Sequence, residues 1–103
     1  MLMPLIVEIA VTPVGTSTTS IGDYVKAAVA VIGRLGFKYS VGPMGTSVEV
    51  PTFEDLARLL REIHDELARM GVKRVSTTVR IDDRRDKASS MDHMVKRVAG
   101  GEG

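Results

Sequence analysis

The chain has 103 residues, with 14 basic and 13 acidic side chains, no cysteine, and an apolar share of 44% that includes only two Tyr and two Phe. Chains usually divide only beyond roughly 250 residues, so one domain over 1–103 is expected; at this size it buries only about 60–65% of its unfolded surface, which favours self-association. The even charge balance disfavours a general nucleic-acid or membrane-surface role, and the missing cysteines exclude a disulfide framework, thiolate metal sites, CxxC redox centres and cysteine nucleophiles.

In chain order, Met1-Leu2-Met3-Pro4 carries no basic residue and Glu8 interrupts the following apolar stretch, so no signal peptide is expected. No run reaches the ~20 apolar residues of a membrane span, and a cytoplasmic protein is the expectation. From Leu5 to Thr12 the residues alternate: Leu5, Val7, Ile9 and Val11 against Ile6, Glu8, Ala10 and Thr12, the pattern of a half-buried strand. Pro13 and Gly15 break it. Ser20 with Asp23 resembles a capping box, and Ile21, Val25, Ala28, Ile32 and Leu35 recur at helical spacing, which predicts a helix over 21–35 closed by Gly36.

Phe37, Tyr39 and Val41 alternate with Lys38 and Ser40, and Gly42-Pro43-Met44-Gly45 supplies turn residues before a strand over 46–50, so this stretch reads as a hairpin. A second helix follows Pro51-Thr52, with Glu54 and Asp55 in its first turn and a stripe of Phe53, Leu56, Leu60, Ile63, Leu67 and Met70 ended by Gly71. Val75, Thr77, Val79 and Ile81 then form one face of a last strand, opposite Arg74, Ser76, Thr78, Arg80 and Asp82. The order βαββαβ describes an α+β fold, the ferredoxin-like sandwich, with an antiparallel sheet in the order 4-1-3-2 and both helices on one face. Its core spans 5–82.

Beyond it runs Asp82-Asp83-Arg84-Arg85-Asp86-Lys87, whose alternating signs favour ion pairs within the run over a metal site. Ser89 or Ser90 then caps a short helix of about 90–98 bearing Met91, Met94, Val95 and Val98. Isolated helices need roughly 12–15 residues for marginal stability, so this one must dock, and another subunit is a natural surface for it. Residues 99–103 read as a tail.

The uncovered sheet face would carry Glu8, Ala10 and Thr12, then Ser47 and Glu49, then Ser76, Thr78, Arg80 and Asp82. Glu8 and Glu49 share this facing near Arg80, which suits an ion pair sealed beneath an interface, a ligand that donates hydrogen bonds or carries positive charge, or acid/base catalysis, the last being disfavoured. His64 borders the apolar stripe without a partner at metal-ligand spacing, and His93 reads as a surface residue. No GxSxG elbow appears, and the exposed positions of the central strands lack the aromatics of an RNA platform, so neither hydrolysis nor RNA binding is expected. Val11-Thr12-Pro13-Val14-Gly15-Thr16-Ser17 and Val41-Gly42-Pro43-Met44-Gly45-Thr46-Ser47 share the pattern VxPxGTS. It is either shared turn chemistry or two hydroxyl-bearing segments facing one ligand. Asn and Gln are absent and Arg outnumbers Lys, a composition that points to a thermophilic source.

Pro13-Val14-Gly15-Thr16, Tyr24-Val25, Gly36-Phe37-Lys38-Tyr39, Pro43-Met44-Gly45-Thr46, Val48-Glu49, His64, Gly71-Val72-Lys73-Arg74 and the run Ile81-Asp82-Asp83-Arg84-Arg85-Asp86-Lys87 together resemble the small thiamine-binding protein family. The likeness extends from about Glu8 to Val98 and departs at Val50, where many relatives carry Gly. It implies dimers and tetramers built through the sheet and the C-terminal helix, and a thiamine or hydroxymethylpyrimidine ligand for part of the family. On that basis the expectation is a non-enzymatic homotetramer that binds thiamine or a related pyrimidine between subunits, with no cofactor, metal, nucleic acid or membrane partner. The alternative is a structural or regulatory homo-oligomer without that ligand. Strand facing makes Glu8, Thr46, Ser47, Glu49, Thr78 and Arg80 the candidate ligand-binding residues.

Overall fold

A computed structural model describes residues 3–99. Its elements are β1 (Leu5–Val14), α1 (Gly22–Arg34), β2 (Lys38–Val41), β3 (Thr46–Val50), α2 (Phe53–Arg69), β4 (Arg74–Asp82) and α3 (Met91–Ala99). The strands form one sheet in the order β2-β3-β1-β4 with every neighbouring pair antiparallel. Read from the other edge this is 4-1-3-2, the ferredoxin-like topology. The expected tail at 99–103 lies outside the described residues from Gly100 onward, and Ala99 belongs to α3.

Alternation sets the two faces of the sheet, because successive strand side chains point to opposite sides. Leu5, Val7, Ile9 and Val11 of β1 and Val48 and Val50 of β3 are buried beneath α1 and α2. From the helices they meet Ala28, Val31, Ile32, Leu56, Leu59, Ile63 and Leu67. Each large aliphatic side chain so buried contributes on the order of 1.5–3 kcal/mol.

The helix stripes differ from the sequence expectation at their margins. Val31 and Leu59 are central to the core, whereas Phe53 and Met70, at the two ends of α2, stay largely exposed. The α2 row that faces the sheet therefore runs Leu56, Leu59, Ile63, Leu67, and Leu60 sits on its half-buried flank. The expected Ser20 capping box does not form. Residue Ile21 is the N-cap and offers only its carbonyl, to Tyr24 and Val25, while the Ser20 amide donates to Thr18 Oγ1 at 3.1 Å. Residues Thr16 to Ser20 prefer this local hydroxyl turn, a known competitor of helical capping.

By contrast α2 is capped through a side chain, with Thr52 Oγ1 accepting from the Asp55 amide at 3.1 Å and donating to Asp55 Oδ2 at 2.8 Å. At its other end Gly71 takes φ +91°, and the Val72 amide donates to the Leu67 carbonyl at 3.1 Å. This Schellman-type closure requires a residue tolerant of positive φ, and it aims the chain into β4 with Val72 buried.

The strands are unequal in length, so β1 has different neighbours along its two halves. Only residues 5–9 of β1 pair with β3, whereas residues 6–14 pair with β4. Past Ile9, β1 therefore runs beside the hairpin tip at residues 42–45, closed by the Gly42 amide donating to the Gly45 carbonyl at 2.9 Å.

Candidate functional site

On the face away from α1 and α2, the register brings five of the six candidate residues together. Glu8 stands opposite Ser47 on one side and Arg80 on the other, and Ala10 stands opposite Thr78. Ile6 lies between Glu49 and Asp82. The sixth candidate, Thr46, is separated from them: it pairs with Ile9 and is buried on the helix side of the sheet. Period-two geometry is the reason, since Thr46 precedes Ser47 in the same strand and must point the other way.

Glu8 and Arg80 are cross-strand neighbours, yet no ion pair joins them among the described residues. Glu8 and Arg80 are both exposed, and their charges are presented rather than cancelled. A glycine gives Glu8 its room. A Cβ built on Gly45 would lie 3.1 Å from Glu8 Cγ and 3.3 Å from the Ile9 carbonyl oxygen, so any larger residue would crowd the carboxylate's stem.

Glu49 has a different employment, which strand facing could not show. Its Oε2 accepts the backbone N–H of Met91 at 2.9 Å and so holds the N-terminus of α3 against the open face. A carboxylate is favourable there because the first helical amides lack intrahelical partners and carry the positive end of the macrodipole. Ser90 completes the cap through Oγ, which accepts from the His93 amide at 3.1 Å. Lys38, cross-strand from Glu49, bonds Asp92 in the first turn, and this hydrogen bond holds the Lys38 ammonium above its ordinary pKa.

Helix α3 is thus tied down at one end. Met91 is buried, Met94 is partly exposed over the sheet, and Val95 and Val98 are open, Val98 at 83%. Between the helix and the strands lies a concavity of about 460 Å³ lined chiefly by Ile6, Glu8, Ser47, Arg80, Asp82 and Met94. Two carboxylates, of Glu8 and Asp82, and a guanidinium border it, with Ile6 and Met94 as apolar contacts. Asp82 and Met94 were not among the sequence candidates; Asp82 shares the alternation that marks Thr78 and Arg80, whereas no local signal places Met94.

Other sequence features fall outside this concavity. His64 Nε2 lies 2.6 Å from Thr77 Oγ1 on the helix side, a bond between α2 and β4. Within the charged run Arg84 pairs with Asp86 and Arg85 with Asp83, and the bond from Arg84 lowers Asp86 to a pKa of about 2. The two VxPxGTS segments line different hollows. Gly15, Thr16 and Ser17 sit beside Tyr24 and Gly71, while Gly45, at the hairpin tip, and Thr46, just after it, border a hollow with Val25 and Ala28. Among the described residues no helix is long and apolar enough to cross a membrane.

A ferredoxin-like sandwich with one polar, uncovered sheet face and a short helix laid across it defines a class of small α+β proteins. The chain belongs to the thiamine-binding protein family, whose sequence pattern matches residues 7–99. It is 36% identical over 91 residues to a UPF0045 protein of Methanothermobacter thermautotrophicus, covering 88% of this chain and 92% of that one. A hypothetical protein of Methanocaldococcus jannaschii superposes with a TM-score of 0.83 at 26% identity, over 95% of this chain and 98% of that one. A Thermotoga maritima protein assigned provisionally to thiamine biosynthesis or salvage superposes with a TM-score of 0.76 at 26% identity, over 91% and 97% of the two chains.

Proposed function

We propose that this protein binds thiamine or a related pyrimidine in the concavity under α3, closed by a second copy, and that it buffers, delivers or senses the compound in the cytoplasm without transforming it. The observation that carries the reading is the unpaired juxtaposition of Glu8 with Arg80, beside Ser47 and Asp82, in a hollow of about 460 Å³. That volume falls within the usual ~300–1,000 Å³ of small-molecule sites. Carboxylates suit a cationic thiazolium and accept from an exocyclic amine, and the Ser47 hydroxyl serves either polarity. Family membership supports the same ligand class.

Binding rather than catalysis is favoured by the fate of the two glutamates. Glu49 is occupied by the Met91 amide, and Glu8 lies diagonally across the sheet from it, about 7–8 Å away by ordinary strand geometry. The exposed Met94, Val95 and Val98 favour closure by a sister protomer, consistent with a homotetramer. A purely structural homo-oligomer, the second reading, rests on that same stripe.

Titration calorimetry with thiamine, its phosphates and hydroxymethylpyrimidine tests the proposal. Saturable heat is expected for at least one, weakened tenfold or more by Glu8→Gln or Arg80→Ala while the oligomeric mass is unchanged. Silence from every compound, or loss of assembly in both variants, would return the open face to a structural role.

A further inference from the structure

The β1–β4 ladder finishes at Val14 opposite Arg74. Residues leaving β1 and residues entering β4 therefore emerge side by side at one end of the sheet, although they are remote in sequence. Between them lies a hollow of about 340 Å³, walled by Gly15, Thr16 and Ser17 on one side and by Gly71 and Lys73 on the other, with Tyr24 of α1 at its border. The two glycines take φ +79° and +91°, and no neighbouring atom stands within 4 Å of where either Cβ would lie. Turn geometry, not crowding, is what calls for glycine at both places.

This hollow is rich in donors. Among the described residues the amides of Gly15, Thr16 and Ser17 donate to no backbone carbonyl or side chain. The Thr16 hydroxyl is committed to the Thr18 carbonyl at 2.8 Å, and the Ser20 amide to Thr18 Oγ1 at 3.1 Å, and these bonds brace the loop. Ser17 keeps its hydroxyl unbonded, and Lys73 makes no ion pair among the described residues. Val72 is buried with its amide on the Leu67 carbonyl, which fixes the stem that carries Lys73. Lys73 is also the one charged residue in the lining, and no carboxylate borders it.

We infer that this hollow binds a phosphate group, free or on a small phosphomonoester, with the 15–17 amides and the Ser17 hydroxyl holding its oxygens and Lys73 balancing its charge. Successive amides in a turn form an anion-binding concavity, and a lysine ammonium serves phosphate as a point charge. A phosphate group offers oxygens in several directions, which suits donors arriving from two separate loops. The volume lies at the small end of ligand sites, enough for phosphate with a short organic remainder. From the Val14–Arg74 pair to the Glu8–Arg80 pair the ladder runs about 20 Å at ordinary strand rise, so this site is independent of the open-face concavity.

The isotope-labelled full chain is titrated at neutral pH and constant ionic strength with inorganic phosphate, then with glycerol 3-phosphate, and followed by backbone amide NMR. Saturable shifts are expected at Gly15, Thr16, Ser17 and Lys73, and none there with glycerol alone. Lys73→Gln should weaken phosphate binding roughly tenfold, the effect of losing a charged hydrogen bond, whereas Lys73→Arg should keep most of it. Lys87→Gln removes the same charge beyond the far end of β4 and should leave the affinity unchanged. The tighter of the two probes tells whether the free ion or an ester is the ligand, and either result supports the site. No saturable shift at the two loops, equal affinity in Lys73→Gln and the parent, or equal weakening by Lys87→Gln would each overturn the inference.

Discussion

The two faces of the sheet are built from the same strands and have opposite characters. Beneath α1 and α2 the face is aliphatic and nearly complete, with Val48, Val50, Leu59, Ile63 and Leu67 fully enclosed. Across the sheet, charged and hydroxyl side chains are covered only in part, by a nine-residue helix anchored at its first turn. Stability resides in the first face and presented charge in the second. A residue that changes one should therefore leave the other largely alone, except where a single position serves both.

The largest expected effect breaks the covered face. Ile63→Ala removes a fully buried side chain between α2 and the sheet, and should cost about 2–5 kcal/mol. For a domain this small the melting temperature should fall by roughly 10 °C or more, checked by circular dichroism or calorimetry. A smaller drop would mean that the helix layer collapses around the cavity.

Gly45→Val tests the position shared by both faces. The new side chain would meet Glu8 Cγ and the Ile9 carbonyl, so a loss of about 1–3 kcal/mol is expected, together with weaker binding on the open side. Denaturant unfolding combined with calorimetric titration reads both. A variant that binds normally despite the crowding would show that the Glu8 position is not critical.

Glu49→Ala touches the open face alone. With the carboxylate gone the Met91 amide loses its acceptor, and about 0.5–2 kcal/mol of cap stabilisation goes with it. Hydrogen exchange should then accelerate throughout α3 while the amides of β1 and β4 keep their protection. Equal loss of protection in the sheet would contradict the independence of the two faces.

The smallest effect is a pH dependence on the helix layer. Glu62 of α2 accepts from Arg58 and from Arg34 of α1, and these bonds, that from Arg58 first, hold its carboxyl below the ordinary value. A carboxyl lowered in the folded state contributes stability above its unfolded pKa and loses it as pH falls through the folded one. Glu62→Gln should therefore be slightly less stable than the parent at neutral pH and should converge with it in acid. The pair is exposed, so added salt should shrink the difference as well.

Much of this organisation was legible along the chain. The order βαββαβ, the hairpin and the two faces of β1 and β4 follow from alternation and turn residues, which are local. The shared facing of Glu8, Ser47, Thr78 and Arg80 was legible because strand parity alone assigns them a side. Strand facing also named Thr46, although its place directly before Ser47 sends it to the other face. The Ser20 box failed because a competing hydroxyl turn at Thr18 lies equally close in sequence, and residue spacing does not rank the two.

Sequence by itself determined which side chains could face together, since a strand repeats every two residues and a helix every 3.6 whatever surrounds it. Tertiary structure decided how those side chains are used. The Met91 amide reaches Glu49 across 42 residues of chain, so that carboxylate became an anchor while Glu8 stayed open. The mismatch in length between β1 and β3 likewise left a hollow around Thr46 that no local pattern encodes. Both outcomes depend on distances between segments remote in sequence, and those distances exist only once the chain has packed.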